Sequence, residues 1–264
     1  MFGIFKKTEL LDEEIIQWLF ETYEWIFKNF DANVFFQETV LVTPSNKHFP
    51  GSSNTADGMA NLIFNQVREY AGMQRWPCSV LDENQITNFS QPNIQIEGPL
   101  RGRHAQPLIT TTDNQPLIIT YHPFQLKDPE VLIASFAHTL AFYLGLSAKE
   151  PPPGGSENLP HATELLAIFM GFGVIMANSA NTRKIRSCGS CSGPAIERTN
   201  YLSQFDTCYA LAIFTLLLGI SKDDVLFSLK KNLRPFFKKA IKDVQARVPE
   251  LSNLQSYKLT TQIS

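Results

Sequence analysis

The chain has 264 residues, 44% of them apolar and 11% aromatic, with a formal charge of -2. That composition supports a substantial buried core and excludes a disordered or low-complexity chain. The near-zero charge excludes a global field that would draw in nucleic acid or an anionic surface, so any basic surface must be local.

The first residues, "MFGIFKKTELLDEEIIQWLF", hold only a few apolar positions before Lys6 and Lys7 and then turn acidic, which is not the pattern of a secretory signal. Four cysteines (Cys78, Cys188, Cys191 and Cys208) in a chain without an export signal lead us to expect a reducing compartment, the cytoplasm. From Asp12 to Phe30 the apolar residues Ile15, Ile16, Leu19, Phe20, Tyr23, Ile26, Phe27 and Phe30 recur at helical spacing. A second helix is predicted from about Thr55 to Ala71, with Met59, Leu62, Ile63, Val67 and Tyr70 on its inner face, and "FPGSSN" before it reads as a loop.

Between Pro77 and Tyr121 the pattern changes to strands: "NIQIEG" alternates apolar and polar residues, and "PLIITY" is a β-branched run bounded by "DNQP" and "HP". From Pro129 the helical pattern returns, interrupted by "KEPPPGGSENLP" and "NTRKIRSCGSCSGPAIERTN". The apolar runs Leu165 to Ala177 and Tyr209 to Ile220 fall short of the roughly 20 residues of a bilayer span, so we expect core helices and no membrane span. Gly219 ends the second run and Ser221 is a plausible cap for the helix after it. "RPFFKKAIKDVQARV" is amphipathic, with Phe236, Phe237, Ile241 and Val244 opposite lysines, and the final "SNLQSYKLTTQIS" is polar and expected to fray.

Chemistry concentrates in one place. "PLIITYHP" is followed by an apolar helix from Pro129 to Leu146, a Pro/Gly loop and a second apolar helix from about Pro160 to Ala180. His138 and Glu164 lie on these apolar helices, where a polar side chain is costly without a partner. "FAHTLAFYL", residues 136 to 144, would read His-Glu-x-x-His with two substitutions. Together with "PHATELLAIFMGFGVIMANSA", this strand–helix–loop–helix resembles the zincin metallopeptidases of the glutamate-ligand type, and more narrowly an uncharacterised bacterial family with a zincin-like core. The resemblance covers roughly residues 115 to 180.

In that family two histidines one helical turn apart bind zinc, the glutamate between them activates water, and a second helix supplies Glu-x-x-x-Asp. The resemblance implies that His138 stands for the first ligand, while Thr139 replaces the base, Phe142 the second ligand and Pro160 the third. Glu164 stands for the carboxylate that orients a metal-bound histidine. A hydroxyl cannot serve as that base and a phenyl ring cannot ligate metal. A metallopeptidase-like protein without catalytic residues or cofactor follows, acting by binding a protein or peptide in the cleft between edge strand and first core helix.

Two readings compete with it. His138, His161 and Glu164 form a two-histidine, one-carboxylate set suited to one divalent metal of the iron or manganese type; the other reading is a purely structural subunit of a complex. "CGSC" at 188 to 191 has the spacing of half a zinc site or a redox pair, with Cys208 as a possible third sulfur, but exposed reduced thiols are the expectation. "RGRH" at 101 to 104 and "TRKIR" at 182 to 186 are expected to be solvated loop faces. The expected fold is α+β: one domain over 1–264, with N-terminal helices (1–75), a mainly helical zincin-like core with a strand-rich section (76–180) and C-terminal helices (195–250).

Overall fold

The structure, a computed structural model, describes residues 10–85, 94–97, 99–105, 108–111, 116–180 and 201–260. Helix α1 (Glu13–Asn29) buries Ile16, Leu19, Tyr23, Ile26 and Phe27 and opens on Glu13 and Glu14, which suit the positive end of the helix dipole. A short helix the sequence pattern did not announce, α2 (Ala32–Glu38), follows at once; Asp31 caps it by accepting from the Asn33 N–H at 2.8 Å. An extended segment then leads to α3 (Ala56–Tyr70), capped by Thr55, whose hydroxyl accepts from the Gly58 N–H at 3.1 Å.

The strand-rich section is two separate pairs. Strand β1 (Cys78–Asp82) precedes β2 (Ile94–Glu97), β3 (Leu108–Thr111) and β4 (Leu117–Tyr121). β1 runs parallel to β4, with Cys78 opposite Leu117 and Asp82 opposite Tyr121, while β2 and β3 are antiparallel, with Ile94 opposite Thr111. Leu117, Ile119 and Tyr121 are buried and Ile118 and Thr120 half-buried, so the alternation read from "PLIITY" turns one face of β4 into the core.

Helix α4 (Pro129–Leu146) starts with proline in its first turn and with Asp128 accepting from the Val131 N–H. The second apolar helix was expected to run unbroken from about Pro160 to Ala180, and it does not. It is α5 (Leu159–Ala167), a π-helical turn (Ile168–Phe172) and α6 (Gly173–Ser179), because Gly171 takes φ 104°. The carbonyl freed there accepts from the Val42 N–H at 2.9 Å, so the break is where the extended segment after α2 joins the core.

Then come α7 (Gln204–Leu217), α8 (Lys222–Ser228), α9 (Arg234–Ala246) and α10 (Val248–Thr260). Gly219 follows α7 with φ 65°, and Ser221 caps α8, as read from the sequence. The tail expected to fray is instead the helix α10: Leu254 is buried and the Tyr257 ring stacks on Phe27 with centroids 5.3 Å apart. A few well-spaced apolar residues suffice when a groove stands ready to receive them.

Buried side chains from α1 to α10 form a single contiguous cluster, with Phe35 stacked on Phe169 at 4.8 Å near its middle. The molecule is mostly helical with a small parallel strand pair, an α+β arrangement. Two stretches, Pro129–Leu146 and Ser156–Ser179, are long and apolar enough to cross a membrane, longer than the runs judged from sequence. Their apolar windows are 56% and 83% buried inside the chain, as in core helices. "RGRH" is a solvated face only in part: Arg103 and His104 are exposed, whereas Arg101 is buried, its guanidinium 4.8 Å from the Phe169 ring centroid and donating to Thr39 Oγ1 at 2.9 Å.

Candidate functional site

The candidate site lies on α4 and α5, which pack closely because Gly145 lets them approach. A β-carbon there would meet Leu159 and Leu166 at 3.1 and 3.2 Å. Leu140, Leu144, Leu165 and Phe169 are fully buried along this contact and set the helix separation without any polar group.

The polar residues of the motif turn back on the chain. Thr139 is half-buried and its hydroxyl donates to the Ser135 carbonyl of its own helix at 3.0 Å. Glu164 is only 3% exposed, and its two oxygens accept from the backbone N–H groups of Tyr201 (3.2 Å) and Leu202 (3.1 Å). Those bonds compensate a buried charge and anchor the chain just before Ser203, which caps α7 in a reciprocal pair with Asp206. Backbone donors thereby compensate the burial of this carboxylate on an apolar helix.

His138 and Phe142 are half-buried on α4, and Pro160 sits in the first turn of α5. His161 lies edge-on to Trp18 and Tyr201, with ring centroids 6.2 and 5.4 Å away, and its buried Nδ1 has no hydrogen-bond partner among the described residues. Among the described residues no three of His, Cys, Asp and Glu gather into a group able to hold a metal ion, so His138, His161 and Glu164 are not drawn together as a ligand set. "CGSC" and "TRKIR" lie outside the described residues. Cys208 and Cys78 are not activated thiols: burial pushes each up to about 12.

The cleft expected between edge strand and motif helix is bridged. Tyr143 on α4 donates to the Ile118 carbonyl of β4 at 3.3 Å. An open groove of about 280 Å³ lies at the N-terminal end of α4, between it and α3. Phe49, Met59, Leu62, Ile63 and Ile133 give it an apolar lining, and Asn46, Gln66 and Glu130 give it a few polar groups.

One cluster carried no sequence signal. The parallel register carries β1 and β4 to a common end, where Tyr121 Oη donates to Asp57 Oδ1 at 2.5 Å and His122 Nε2 lies 3.6 Å from Glu83 Oε1. Burial, then the bond to Asp57, pushes the Tyr121 hydroxyl up to about 12. His122 Nδ1 accepts from the Phe124 N–H at 3.1 Å. Both ring nitrogens of His122 face the chain's own groups, and the tyrosine–aspartate bond closes this end of the strand pair. No family model, curated protein or solved structure matches this chain.

Proposed function

We propose that the chain is a catalytically inactive, zincin-like protein that acts by binding a protein or peptide. The observation that carries this reading is the fate of the motif's polar groups: where a peptidase places its base, the Thr139 hydroxyl is bonded to Ser135, and the Glu164 carboxylate is bonded to the backbone at Tyr201 and Leu202. Groups committed in this way hold the fold and leave no activated water for hydrolysis. Binding is assigned to the groove between α3, α4 and the segment around Phe49, whose apolar floor and sparse polar rim suit an apolar side chain on an extended segment.

The test is selection of displayed random peptides on the intact protein, followed by affinity measurement on Leu62→Asp. Leu62 is a half-buried residue lining the groove. Selected peptides should carry apolar anchors and bind the variant about tenfold or more weakly. Peptides that bind both forms equally, or a failure to select any, would remove the groove from the reading.

A further inference from the structure

Residues 225 to 242 carry Lys230, Lys231, Arg234, Lys238, Lys239 and Lys242 and no acidic side chain, within a molecule whose overall formal charge is -2. At the helical turn of about 100° per residue, Lys238, Lys239 and Lys242 share one face of α9. That face lies opposite the buried Phe237, Ala240, Ile241 and Val244. These three lysines are exposed, as is Lys231 in the turn before α9.

The remaining two cations are tied down. Arg234 donates through Nε to the Leu229 carbonyl (2.8 Å) and through Nη2 to the Phe227 carbonyl (3.1 Å), and Lys230 Nζ donates to the Asn178 carbonyl (2.7 Å). Arg234 thereby ties the end of α8 to the first turn of the helix that carries the lysines, and at that end Phe227 stands 86% exposed. Val40, 47% exposed, lines a cavity of about 620 Å³ with Phe227, Ile220 and Lys47. Among the described residues, α8 and α9 carry the carboxylates Asp223 and Asp224 in the first turn of α8, of which Asp224 lines that cavity, and Asp243, which is held by Tyr209 and Arg247.

We propose that the lysine face of α9, with Phe227 beside it, docks the protein reversibly on an anionic lipid surface. Charge complementarity fixes the sign of the partner. Its class follows from the side chains: the open cations are all lysines, which act as point charges toward headgroup phosphates, and the single arginine, whose fork suits base or bidentate phosphate recognition, is turned inward. A protruding phenyl ring beside lysines on an outward helical face places charge in the headgroup layer and the ring at the acyl boundary. The inference does not rest on the groove beside α3, although Ser45 lines both that groove and the cavity beside Phe227.

The test is sedimentation of the full chain with vesicles of phosphatidylcholine alone and of phosphatidylcholine mixed with phosphatidylglycerol, at low and high salt. Binding should require the anionic lipid and fall as salt rises. Lys238→Gln/Lys239→Gln/Lys242→Gln should weaken partitioning by about a hundredfold, at roughly fivefold per charge removed, and Lys238→Glu/Lys239→Glu/Lys242→Glu by more than that. Phe227→Ser should weaken it while leaving the salt dependence unchanged. Thermal melts should show both exposed-site variants folded as wild type, and Lys238→Gln/Lys239→Gln/Lys242→Gln supplies a milder version should the reversal unfold. Equal binding to neutral vesicles, binding to neither, indifference to the lysine changes, or binding to duplex nucleic acid without binding to anionic vesicles would each overturn the proposal.

Discussion

Glu164→Ala would leave the N–H groups of Tyr201 and Leu202 without their acceptor at a place where Glu164 is 3% and Leu202 6% exposed. The expected loss is about 2 to 3 kcal/mol, because a charge-assisted bond goes and buried donors stay unpaired. Glu164→Gln, which keeps one acceptor oxygen, should lose about half of that. Urea unfolding measures both, and an unchanged midpoint for the alanine variant would show that the carboxylate is not the anchor of α7. At this scale the sequence shows that Glu164 needs a partner, since a carboxylate on an apolar helix is costly unpaired. The partner itself is illegible: two backbone donors 37 and 38 positions away carry no side-chain identity. Arg101 is the opposite case. "RGRH" looks like a solvated loop, and only the folded chain sets the Phe169 ring and the Thr39 hydroxyl around the guanidinium.

The element scale divides between what periodicity reports and what a tertiary partner imposes. Helices α1, α3 and α4 lie within a residue or so of their predicted bounds, because each is a sustained apolar pattern of its own and α3 and α4 also carry N-terminal caps. The π turn at Ile168–Phe172 has no such signature, since a lone glycine in an apolar run reads as an ordinary helix residue. Its cause lies in the segment after α2, whose Val42 N–H takes up the Gly171 carbonyl. Helix α10 escaped for a related reason: Leu254 and Tyr257 find their partners on distant elements. Gly171→Ala tests the break directly. Its β-carbon would sit 2.3 Å from the Val40 carbonyl oxygen at φ 104°, so clash and left-handed strain add to at least about 3 kcal/mol. Calorimetric melting of the variant within about 1 kcal/mol of wild type would mean that the chain passes residue 171 as a continuous helix.

For the molecule as a whole, apolar content and helical periodicity make a mostly helical core legible, whereas the pairing of β1 with β4 across 38 intervening positions is a long-range choice that local pattern does not encode. The extent of burial has a consequence in solution. The Cys208 and Cys78 thiols, pushed up to about 12 by burial, hold their protons in the fold above the pH at which an unfolded thiol, near 8.5, loses its own. The unfolded state then binds fewer protons, so this stability is whole below about pH 8.5 and is lost as pH rises toward 12, by up to about 1.4 kcal/mol per pH unit for each thiol. Arg101, lowered to about 10 by burial, acts in the opposite sense above that value, and the tyrosines raised by burial add to the fall near pH 10, so between about 9 and 10 the thiol share is read as the difference that Cys208→Ala makes. Urea midpoints should fall across this window, and Cys208→Ala should flatten the fall; equal slopes for variant and wild type would contradict the assignment. The non-catalytic reading of the α4–α5 pair is tested most directly by elemental analysis of the protein purified from zinc-, iron- and manganese-supplemented cells, run beside a casein-cleavage assay with and without chelator. A binding protein gives metal far below one per chain and no cleavage, whereas near-stoichiometric metal lost on His138→Ala, with chelator-sensitive cleavage, would contradict it.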